Sequence, residues 1–145
     1  YGYLPGGASG GILPASLADV PLDFDTLTPY GCFIGSAAIV VLSDKDSASA
    51  AARNLMKFFA EESCGQCTPC REGTGWLYRI LHRIETGKGR QEDLDLLLDL
   101  CENIAGRTIC ALGDAAAWPV QGFLRHFRKE FEYHIEHKRC LVQGS

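Results

Sequence analysis

The stretch Glu62-Ser63-Cys64-Gly65-Gln66-Cys67-Thr68-Pro69-Cys70-Arg71-Glu72-Gly73 places three thiols at two-residue gaps. Sulfurs so spaced face one object only if the backbone curls around it. A C-x2-C-x2-C run is a known way to supply three of the four thiolates of an iron–sulfur cluster. The fourth ligand must come from elsewhere in the chain. Zinc is the main alternative, since it too takes four thiolates. Its usual layout is two C-x2-C pairs, however, and the third cysteine here is one too many for the first pair. A redox C-x-x-C pair belongs beside a βαβ pattern, which this sequence lacks.

Four other cysteines compete for the fourth position. Cys101 falls three residues after Leu98 on an apolar helical face, the place of a small buried hydrophobe. Cys110 sits in a loop between two predicted helices, with Gly106 before it and Ala111-Leu112-Gly113 after it. Small residues there let backbone approach a bulky inorganic group, which makes Cys110 the best fourth thiolate. Cys32 lies in a glycine-rich segment, and Cys140 in the tail 140–145, expected to be loose.

Outward from the cysteines the pattern is helical. Ala48, Ala51, Ala52, Leu55, Met56 and Phe59 recur at three and four residues, with Asp46 or Ser47 as the cap. After the thiols, Trp76, Leu77, Ile80, Leu81 and Ile84 mark a second helix, stopped by Gly87 and Gly89. Leu94, Leu97, Leu98, Cys101 and Ile104 mark a third, closed by Gly106. Pro119 suits a first turn and opens a fourth, with Phe123, Leu124, Phe127 and Phe131 inward. Four helices in so short a span predict a bundle. A cluster with four thiolates is an anion, so the helix entered at Cys70 and the adjacent Arg71 favour it through dipole and charge. A solvated surface charge is an equal reading of Arg71.

Residues 1–45 differ, being rich in glycine and proline. Tyr1 and Tyr3 alternate with small residues like a strand end, Pro5 to Gly11 is a loop, and Ala37 to Leu42 is an apolar β-branched run expected to be a strand buried on both faces. Its partners should lie upstream. The chain opens on Tyr1 and reads as the C-terminal part of something longer. His134-x2-His137-x2-Cys140 admits a second metal, but a polar helix surface accounts for it more simply. The glycine-rich start lacks the GK[ST] ending of a phosphate loop.

Composition sets limits. The chain has 145 residues, 46% of them hydrophobic, enough for one cored domain or one domain and a piece of another. A net charge of -4, evenly spread, argues against nucleic acid and anionic lipid as partners. No apolar run approaches the ~20 residues of a membrane span, which predicts no direct membrane insertion. Seven cysteines, three of them crowded, fit metal ligation in a reducing compartment better than a secreted disulfide framework.

The run Glu62 to Gly73, followed by Thr108-Ile109-Cys110-Ala111-Leu112-Gly113-Asp114-Ala115-Ala116-Ala117-Trp118-Pro119-Val120, closely resembles the C-terminal part of the NADH-binding flavoprotein subunit family of respiratory complex I. Relatives occur in NAD-dependent formate dehydrogenases and NAD-reducing hydrogenases. The resemblance implies a 4Fe-4S cluster held by Cys64, Cys67, Cys70 and Cys110, the same set as the spacing suggests. It implies an α+β, mainly α fold, with a helical cluster domain at 46–139 behind the closing half of a β-grasp (ubiquitin-like SLBB) domain at 1–45.

FMN and NAD(H) would then bind only in the parent subunit, and this chain alone would not oxidise NADH. The implied role is electron relay from reduced FMN through the cluster to partner subunits, a thioredoxin-like 2Fe-2S subunit and an iron–sulfur relay subunit among them. The setting would be cytoplasmic, or the mitochondrial matrix, peripheral to the inner membrane. Leu4 to Pro14 and Tyr30 to Gly35 look more like the formate dehydrogenase branch, and Ala115 to Phe127 more like complex I. A zinc-stabilised binding module and a metal-free helical interaction domain are the readings of other classes.

Overall fold

The computed structural model describes residues 1–141. Its first third carries three short antiparallel strands, β1 (Gly2–Leu4), β2 (Leu13–Pro14) and β3 (Val40–Leu42), in the order β2-β1-β3. Tyr3 faces Leu13 on one side and Val41 on the other. The loop after β1 folds onto the backbone of residues 33–36: Phe33 N–H donates to Gly10 O and Ser36 N–H to Gly6 O, at 3.0 and 3.2 Å. A Cβ on Gly6 would fall 1.9 Å from Phe33 O, so only glycine permits this approach.

Four helices follow: α1 (Ala48–Glu62), α2 (Thr68–Glu85), α3 (Glu92–Ile104) and α4 (Leu112–His137). The mainly helical α+β class expected from the sequence is observed. Ser47 caps α1, its hydroxyl accepting the Ala50 N–H. The apolar faces converge on one core, in which Met56, Leu77, Leu81, Leu97, Phe123 and Phe131 are almost wholly removed from water. Leu4 and Ile12 belong to the same cluster, so the N-terminal loop rests on the bundle.

Three expectations are corrected. The segment 37–42 is not a strand buried on both faces: β3 is an edge strand, and Val41 is 72% exposed. The strand also starts late, because Ala37 takes a left-handed conformation (φ 60°) that ends the turn donated to Ile34 O. Pro119 does not open the fourth helix, which starts at Leu112. Asp114 Oδ1 accepts the Gly106 N–H at 2.6 Å and ties the first turn of α4 to the end of α3. Pro119 lies inside, buried, where its missing N–H deprives the Ala115 carbonyl of its usual i+4 donor. The break in the helix comes later, at Phe127 (φ -124°, ψ 21°).

The third correction concerns the end of α4, whose polar residues are not all surface. Glu130 and His134 are buried, and they reach back to the start of α1. Glu130 Oε1 accepts the Ala48 N–H at 2.8 Å, and His134 Nδ1 lies 3.3 Å from Ser49 Oγ.

Candidate metal centre

Cys64, Cys67 and Cys70 occupy the passage from α1 into α2. Ser63 ends α1 in an extended conformation, and Gly65 (φ 81°) turns the chain so that Cys67 arrives as the N-cap of α2. Pro69 suits the first turn, where its absent N–H costs nothing. Cys70 therefore stands within that first turn, 7% exposed, while Cys64 is exposed and Cys67 half-buried. Arg71 is not merely solvated: its guanidinium donates to Gly65 O at 2.8 Å and to Thr68 Oγ1 at 3.2 Å, clamping the loop between the first two cysteines.

Cys110 comes from the α3–α4 loop and is exposed. Thr108 Oγ1 donates to Cys110 O at 2.8 Å, and Gly113 packs so closely on Thr108 that a Cβ would fall 2.6 Å from Oγ1. That compact loop lies against the first motif, where the Ile109 N–H donates to Cys67 Sγ at 3.4 Å. The N-terminal ends of α2 and α4, with their unpaired amides, thus both lie beside candidate thiolates.

The other cysteines differ in character. Cys101 is fully buried on α3, its thiol pushed up to about 12 by burial and secondarily by Glu102. Cys32 is buried in a small cluster with Leu13 and Leu27, pushed up to about 11 by burial against an opposing Arg125. Ligation takes a thiolate, and both sites hold the thiol neutral. The histidines do not gather either: His134 Nε2 contacts Glu85 O at 2.9 Å, while exposed His137 stacks on Tyr133. Among the described residues no three His, Cys, Asp or Glu side chains are grouped to hold a single metal ion. A cluster of several irons spreads its thiolates wider than one ion does. The donor set fits such a group: Cys67 and Cys70 at the start of α2 with Cys64 just ahead of them, Cys110 just before α4, the Ile109 N–H on Cys67 Sγ, a hydroxyl 3.2 Å from Cys70 Sγ, and a clamped loop.

Sequence reasoning missed Ser63, whose Oγ lies 3.2 Å from Cys70 Sγ. Its only signal was its place immediately before Cys64.

The sequence pattern of the NADH-ubiquinone oxidoreductase-F iron-sulfur binding region, a 4Fe-4S family, matches residues 50–134. An NADH-quinone oxidoreductase subunit of Rickettsia typhi is 49% identical over 133 residues, covering 92% of this chain and 32% of that protein. The mitochondrial NADH dehydrogenase (ubiquinone) flavoprotein 1 of Dictyostelium discoideum is 50% identical over 136 residues, 93% of this chain and 28% of its own length. The chain thus spans about a third of the curated relatives it matches. Among solved structures, an NAD+-reducing NiFe hydrogenase in its H2-reduced state superposes with a TM-score of 0.84 at 30% identity, over 93% of this chain and 23% of that one. No described helix is long and apolar enough to cross a membrane.

Proposed function

Because the chain belongs to the NADH-ubiquinone oxidoreductase-F iron-sulfur binding region family, whose cofactor is a 4Fe-4S cluster, we propose that Cys64, Cys67, Cys70 and Cys110 are its ligands. We further propose that the chain is the electron-relaying portion of the parent subunit, working between FMN bound elsewhere in that subunit and the clusters of partner subunits. A thioredoxin-like 2Fe-2S subunit and an iron–sulfur relay subunit are the partners this reading names. Residues 46–139 are then the cluster domain and residues 1–45 the end of a β-grasp domain. The setting is the cytoplasm or mitochondrial matrix, peripheral to the inner membrane.

The observation that supports the ligand set is the Ile109 N–H on Cys67 Sγ, which lays the second cysteine loop on the first. When bound, the cluster supplies one-electron transfer. The chain's own residues fix its place and electrostatics. Three thiolates come from one turn held by Arg71, and the fourth from a loop fastened through Thr108. The amides at the start of α2 offset the negative charge of the thiolates, while Arg71, ion-paired with Glu72 at 3.1 Å, serves to hold the turn. Cys101 stays neutral in the core and serves packing.

Anaerobic purification followed by iron, sulfide and zinc analysis tests this. The expected sample is brown, with broad absorbance near roughly 400 nm and about four irons per chain. A colourless sample with stoichiometric zinc would overturn the reading.

A further inference from the structure

We infer that the side-chain hydroxyl of Ser63 is a positioning residue for the cluster's electronics, donating a hydrogen bond to the Cys70 thiolate and thereby raising the reduction potential. The inference rests on Cys70 being a ligand, as proposed above.

Ser63 Oγ lies 3.2 Å from Cys70 Sγ, and the Gly65 N–H approaches the same oxygen at 3.4 Å. A hydroxyl has one proton and two lone pairs, so the Gly65 amide occupies a lone pair and leaves the proton for sulfur. A metal-bound thiolate has no proton to return, which fixes the direction as Oγ–H to Sγ. Ser63 closes α1 at φ -63°, ψ 125°, a conformation available to any residue, so the position does not need serine for its backbone. Cys70 is only 7% exposed, and in that setting a donor to charged sulfur acts with little competition from water.

Reduction adds negative charge to a cluster and its sulfurs. A donor to sulfur therefore favours the reduced form more than the oxidised one, and hydrogen bonds of this kind are among the terms that set cluster potentials. Cys67 receives a comparable bond from the Ile109 amide. Of the two, the Ser63 bond can be removed by trimming a side chain without altering the backbone.

The test is a mediated redox titration of the assembled parent complex, followed by the paramagnetic signal of the reduced cluster in the wild type, Ser63→Ala, Ser63→Gly and Ser63→Thr. Ser63→Ala and Ser63→Gly are expected to keep iron and to lower the reduction equilibrium constant about tenfold, ~59 mV to the negative for one electron. Ser63→Thr keeps the hydroxyl and is expected to stay at the wild-type potential. An exchangeable-proton coupling additional to that of the Ile109 amide should be present in wild type and Thr and lost in Ala. Should Ala and Gly lose iron while Thr retains it, the hydroxyl serves to hold the cluster rather than to tune it, and the inference fails. Loss of iron in all three, or an unchanged potential and proton coupling in a fully loaded Ser63→Ala, overturns the inference. Failure of the ligand set itself appears separately, as full iron retention in Cys70→Ala.

Discussion

The backbone N–H of Ile109 points at Sγ of Cys67 from 3.4 Å, joining positions 42 residues apart in sequence. Through that contact the α3–α4 loop, with Cys110 at its end, lies on the turn that carries the three clustered thiols. Ile109 itself is 89% exposed, so its apolar side chain does not hold the loop down. The loop is held by its backbone and by Thr108.

Cys110 and Cys101 should therefore respond in opposite ways to the same change. Cys110→Ala removes an exposed thiol beside the motif and is expected to abolish iron binding with little loss of fold stability. Cys101→Ala trims a fully buried side chain, costing about 1 kcal/mol while iron stays at the wild-type level. Iron analysis and a urea melt of each variant decide it. Retention of iron by Cys110→Ala would remove that residue from the ligand set.

Two glycines in the first turns of α2 offer a sharper packing test. A Cβ at Gly73 would meet Ile104 Cδ1 at 2.6 Å and Cγ1 at 2.7 Å, so Gly73→Ala displaces the buried Ile104 side chain at the α2–α3 contact and should cost about 1–3 kcal/mol. A Cβ at Gly75 meets nothing within 4 Å. There the gain in helix propensity acts alone, and Gly75→Ala should stabilise by about 0.5–1 kcal/mol. Equal shifts in denaturation midpoint for the two variants would contradict this account of the α2–α3 contact.

Much of this architecture is legible in the residues, and the gaps have physical causes. The faces of α1, α2 and α3 follow from apolar spacing, and the inward place of Cys101 follows with them. The start of α4 does not, because proline at a first turn is a good local signal. The tie from Gly106 to Asp114 that starts the helix earlier is a contact between elements. A β-branched run such as Ile39-Val40-Val41 specifies a strand without saying whether it lies at the centre or the edge of a sheet. The spacing of the thiols nominates Cys64, Cys67, Cys70 and Cys110. It carries nothing about Ser63 or Ile109, whose relevance lies in where one hydroxyl and one amide point. Glu130 is the extreme case: in sequence it sits among charges, and in space it caps a helix that begins 82 residues earlier.

Asp93 is fully buried at the start of α3. Its carboxylate accepts from Arg83 Nε at 3.1 Å, from Arg83 Nη2, and from the Arg90 backbone N–H at 2.9 Å. Removing one partner of such a pair leaves the other short of hydrogen bonds. Arg83 is 36% exposed, so water compensates part of the loss. Asp93→Ala should then cost about 2–3 kcal/mol, and Asp93→Asn, which keeps an acceptor for the Arg90 amide, clearly less. Chemical denaturation of both variants measures the order, and equal destabilisation would show that the charge rather than the cap matters.

Glu130 is 3% exposed, and its Oε1 accepts the Ala48 N–H at 2.8 Å and the Ser47 hydroxyl at 3.2 Å. Burial raises its pKa above the ordinary 4.5, with backbone hydrogen bonds from the start of α1 pulling the other way. A folded-state pKa above the unfolded one means that folding favours the protonated form. That contribution is complete below the unfolded value and is lost as pH rises through the folded one. Glu130→Gln keeps an acceptor for Ala48 and has no proton to lose, so its stability relative to wild type should improve from about pH 4 to about pH 7. Taking the difference between two proteins cancels every other titrating group they share. Glu130→Ala removes the cap altogether and should cost about 1–2 kcal/mol or more across that range. Urea denaturation of the three proteins at each pH provides the check. Parallel pH profiles for wild type and Glu130→Gln would mean that the carboxyl titrates alike in the folded and unfolded chains.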